Sequence, residues 1–102
     1  MVRRQQDLME QTRVDVLADY RAAAQEYFQR RTEVAGTLVP MREHAANIST
    51  LAQAVYVQTG GDVLRLIDAE RSRLDAELAW VEGMVAFQQS RASLEAAEGA
   101  AR

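Results

Sequence analysis

Apolar residues repeat at helical spacing along nearly the whole of this sequence, and the repeat stops outright at one place, Thr59-Gly60-Gly61-Asp62. Upstream, the spacing runs from Val14, Leu17, Tyr20, Ala24 and Phe28 through Leu38, Met41, Ala45, Ile48, Ala52 and Val55. Downstream it resumes as two stripes. One is Leu64, Ile67, Leu74, Leu78, Val81 and Val85; the other, expected beside it, is Leu66, Ala69, Ala76, Trp80, Met84, Phe87 and Leu94. Glycine tolerates the left-handed conformation that closes a helix, and the Asp62 carboxylate suits the free amides of a new first turn. The chain is therefore expected to reverse here.

The expectation is an all-α fold, a long antiparallel helical hairpin of coiled-coil type, with helices over about 4–58 and 62–98. Residues 1–102 would form this single hairpin. Gly36 and Pro40 interrupt the first arm. A proline inside a helix removes one hydrogen bond and crowds the carbonyl four residues back, at a cost of about 3 kcal/mol, so a kink or a frayed turn is expected near Gly36–Pro40. Steps averaging near 3.5 residues imply a left-handed supercoil, and two stripes on the second arm ask for a neighbour on each side.

Composition agrees and removes several function classes. A chain that is 48% hydrophobic and 26% charged is not a disordered tail, and few aromatics with abundant alanine suit helices better than sheets. The twelve basic residues, all arginine, are spread along a chain of net charge −3, which leaves no basic stripe for nucleic acid. Without cysteine there is no disulfide framework and no thiolate metal site. The opening MVRRQQDLMEQTRVDV has arginines but no apolar run behind them, and no stretch approaches the roughly 20 apolar residues that cross a bilayer. Neither a secretory signal nor membrane insertion by this segment is expected.

The run Tyr56, Gly60, Gly61, Asp62, Leu64, Leu66, Ile67, Asp68, Ala69, Glu70, Arg71 resembles the hairpin turn of the TolC-like outer membrane efflux proteins. In that family a tyrosine and a glycine precede a Ser or Asp, and a Leu-rich turn ends in Asp-Ala-Gln/Glu-Arg. The flanks TLVPMREHAANISTLAQAVY and SRASLEAAEGAAR are similar to the segments on either side of that turn, so the resemblance covers nearly the whole chain. It implies the C-terminal periplasmic coiled-coil repeat of an export channel: a trimer whose hairpins form a tunnel, held through a periplasmic adaptor protein to an inner membrane pump, at the periplasmic side of the outer membrane. Carried over by position, Thr59, Gly60, Gly61 and Asp62 match the adaptor-contact turn, and Tyr56, Arg65 and Asp68 match the tunnel constriction. Thr59 stands where the family has glycine, and Arg65 where an acidic residue is common. Family members carry two such repeats and several β-strands, so a single repeat without strand pattern reads as a piece of such a protein.

Other readings of the same residues stand beside this one. Asp62 and the glycines suffice as a cap and a turn. Asp68 with Arg71, and Arg73 with Glu77, are spaced for ion pairs on a solvated face. Trp80 and Phe87 fall on an apolar stripe and read as packing residues. His44 has no glutamate three residues before it and no histidine or cysteine partner, so no metal ligand is expected. A two-helix rod offers no concavity in which to activate a nucleophile, so neither catalytic residues nor a cofactor are expected, and the chain is not read as an enzyme. The alternative to the channel is a soluble antiparallel coiled-coil module that self-associates into a helical bundle.

Overall fold

The computed structural model describes residues 2–101, and it is an all-α helical hairpin. Helix α1 (Val2–Glu33) passes through a π-helical turn (Val34–Leu38) into α2 (Val39–Thr59), and α3 (Val63–Ala101) forms the returning arm. Alanine, glutamine, glutamate and arginine fill the solvated positions, all residues that lose little freedom in a helix.

Two compact units divide the hairpin. In the first, built from residues 1–31 and 86–102, α1 and the end of α3 pack through Tyr20, Ala23, Tyr27, Phe87, Leu94 and Ala97, all part-buried. Tyr27 lies against Phe87 with ring centroids 5.4 Å apart and meets Phe28 edge-on at 5.5 Å. Ser90 is buried there and donates its hydroxyl proton to the Phe87 carbonyl at 2.7 Å, so no polar atom is stranded. Residues 4–15 are exposed throughout.

The second unit, residues 32–85, contains the π turn, α2, the elbow and the first half of α3. Leu66, Ala69, Arg73, Ala76, Trp80 and Gly83 face Leu38, Arg42, Ala45, Ser49 and Ala52. Steps of three and four alternate on each list, the signature of a coiled-coil seam. The residues are unusual for one: the buried set is small or polar, with Leu38, Ala69 and Ala76 its only buried apolar members among the described residues. Small side chains let two backbones approach closely. Leu38 projects directly onto Gly83, where an added methyl would collide with its Cδ1.

One expectation takes a specific form and another needs correction. The disturbance expected at Gly36–Pro40 is a π turn, in which the Val39 amide donates to the Val34 carbonyl and the helix resumes with Pro40 in its first turn. A widened turn leaves a carbonyl without its usual amide partner, so the proline that cannot donate is accommodated there. The two stripes of α3, expected beside one another, lie roughly 150° apart around its axis at the angular step of a coiled-coil helix. One is the seam; the other, Leu64, Ile67, Leu74, Leu78, Val81 and Val85, is 46 to 72% exposed.

Candidate functional site at the elbow

The elbow is built from one glycine conformation and one carboxylate. Gly60 closes α2 at φ 60° and ψ 25°, its amide donating to the Tyr56 carbonyl at 2.9 Å. A side chain at that φ is strained. Asp62 then caps α3: its Oδ1 accepts from the amides of Leu64 at 3.1 Å and Arg65 at 3.3 Å, and its carbonyl accepts from Leu66 at 3.3 Å. Thr59 returns its hydroxyl proton to the Val55 carbonyl at 2.8 Å, which brings Oγ1 to 2.8 Å from where a Cβ on Gly61 would stand.

Beside the elbow, α2 and α3 enclose an open groove of about 460 Å³. Ala52, Leu66 and Ala69 from the seam form its floor. Ile48, Leu51, Val55 and Tyr56 make the α2 wall; Arg65, Asp68 and Ser72 make the α3 wall; and Thr59, Gly61 and Asp62 close its end. Six of the seven residues singled out at the elbow, Tyr56, Thr59, Gly61, Asp62, Arg65 and Asp68, thus line one concavity, and Gly60 is the hinge that shapes it. The apolar α2 wall is part of the site that sequence reasoning missed. Ile48 and Val55 belong to the apolar repeat of the first arm in the sequence, whereas Leu51, three residues after Ile48, lies outside that repeat.

A polar interlock sits next to the groove. Glu70 accepts three donors: the hydroxyl of Ser49, the amide of Gln53 at 2.6 Å, and the guanidinium of Arg73 at 3.2 and 3.3 Å. Ser49 is 2% exposed, so its hydroxyl requires this acceptor. The Ser49 hydroxyl first, then Gln53, with Arg73 adding hydrogen bonds and opposite charge, hold the Glu70 carboxyl below the ordinary glutamate range against the contrary effect of burial. One layer further from the elbow, Arg42 bonds Glu77 at 2.7 Å and lies 4.1 Å above the Trp80 ring. The ion pairs therefore differ from those expected on the solvated face: Arg73 reaches Glu70, and Glu77 is taken by Arg42 from the opposite arm.

Among the described residues, no group of three His, Cys, Asp or Glu is arranged to hold a metal ion, and no helix is long and apolar enough to cross a membrane. No family model matches the chain, and no curated protein or solved structure matches it.

Proposed function

We propose that this hairpin is a component of a TolC-like outer membrane efflux channel, one stave of its periplasmic helical tunnel, through which small molecules or metal ions leave the cell. The observation that carries the reading is α3 itself. It bears two apolar heptad stripes on nearly opposite sides, of which its own hairpin partner covers one. An isolated hairpin gains nothing from the second, whereas a helix with neighbours on both flanks buries both. The elbow resemblance over Tyr56–Arg71 supplies the family, and the trimer, the adaptor and the pump come with it as partners. On this reading the groove beside Gly60 faces the adaptor, and Tyr56, Arg65 and Asp68 narrow the passage.

The competing reading is a self-associating soluble module, favoured by the regular seam of α2 against α3, which needs nothing further to hold the hairpin shut. Fractionating a bacterium that expresses the full encoding gene distinguishes the two. The channel reading expects the hairpin epitope in outer membranes, cross-linked as a trimer through a photoreactive residue substituted into the exposed α3 stripe at Leu74. Recovery in the soluble fraction as a compact dimer contradicts it and establishes the module.

A further inference from the structure

In α1 the covered positions are Val16, Tyr20, Ala23, Ala24, Tyr27 and Arg30, and all but Ala24 follow alternating steps of four and three. Carried through Val34 by an unbroken α-helix, that alternation reaches Thr37, Met41, His44, Ile48, Leu51 and Val55, all of which are exposed. The face that α2 turns toward α3 is Leu38, Arg42, Ala45, Ser49 and Ala52, each one residue later. The offset arises in the π turn, whose bond from the Val39 amide to the Val34 carbonyl absorbs one surplus residue and turns everything after it by about 100°. α2 thus carries two heptad faces in adjoining phase. The greasier one is held outward, its Ile48, Leu51 and Val55 over the groove, and the smaller, more polar one is held in.

From this juxtaposition we infer that α2 is a rotary element with two positions. In the observed position the π turn is formed and Met41, Ile48, Leu51 and Val55 stand outward. In the other position the π turn is lost, α2 rotates by one residue's angle against α3, and those four side chains enter the seam, Ile48, Leu51 and Val55 thereby leaving the wall of the groove. Burial of four side chains now 41 to 65% exposed drives the second position. The first is held by Pro40 at the widened turn, by Leu38 seated on Gly83, by the three donors on Glu70, and by Arg42 on Glu77 and Trp80. The Gly60–Gly61 link supplies slack for the accompanying shift of about 1.5 Å along the axis. The inference does not depend on the channel reading.

Disulfide trapping tests it, because the chain has no cysteine of its own. Ala45→Cys with Ala76→Cys reports the observed position, and His44→Cys with Ala76→Cys reports the rotated one. In the full chain the 45/76 pair should oxidise about tenfold faster than the 44/76 pair. Deletion of Gly36 combined with Pro40→Ala removes the surplus residue and should invert that preference while helix content and melting temperature hold or rise. A deletion variant that keeps the 45/76 preference, or that unfolds, overturns the inference. Independently of the deletion, Arg42→Met with Glu70→Gln in the full-length chain should raise the 44/76 yield several-fold, and an unchanged yield likewise overturns it.

Discussion

Gly83 shows how one residue sets the spacing of two helices. Its missing Cβ is the seat of the buried Leu38 side chain, so Gly83→Ala overpacks the seam. The expected loss is about 1 to 3 kcal/mol in a denaturant melt, with much of it recovered when Leu38→Ala is added. Gain of stability in the single variant would show that Leu38 is not confined there. Asp62 supplies the two-amide cap of α3, and Asp62→Ala should cost about 1 kcal/mol, measured the same way. Glu70 gives a pH signature. Its carboxyl is lowered in the folded state, so its contribution is complete above the ordinary glutamate range and disappears as pH falls through that range to the lower folded value. Melting temperature followed by circular dichroism should decline on acidification below about pH 4.5, and Glu70→Gln should flatten the decline. An identical acid profile in the variant would remove Glu70 from the interlock.

At the scale of elements, the elbow is the most exacting piece of backbone. Gly60 holds the positive φ found at no other described residue, so Gly60→Ala should destabilise the hairpin by about 1 to 2 kcal/mol, whereas alanine at the exposed Gly99 should be neutral or stabilising. Equal effects at both positions would contradict the assignment of the turn. The elbow was legible in the sequence because its chemistry is local: two glycines and a capping aspartate act within four residues. The π turn was not. Gly36 and Pro40 marked a disturbance, but a kink and a surplus residue disturb the apolar pattern equally. Only the later phase distinguishes them, and in α2 both phases are occupied. Met41, Ile48 and Val55 therefore fit the apolar repeat although all three stand outward, Ile48 and Val55 lining the groove. Arg73 reads as part of a solvated face when it faces inward, and the seam roles of Ser49 and Arg42 carry no sequence signal, because their acceptors Glu70 and Glu77 sit on the other arm and no periodicity reveals such pairing.

For the molecule as a whole, the central claim is that the outward stripe of α3, from Leu64 to Val85, exists to meet neighbouring helices. Two arms satisfy the seam between α2 and α3 without it, and six large aliphatic side chains at coiled-coil spacing exceed what a solvated helix face requires. The measurement that tests this most directly is sedimentation of the purified chain beside a variant carrying Leu74→Glu and Leu78→Glu, with helix content monitored in parallel. The wild-type chain should associate through the stripe and the variant should sediment as a monomer with its helicity unchanged; a wild-type chain that stays monomeric at high concentration, or a variant that associates as before, would contradict the account.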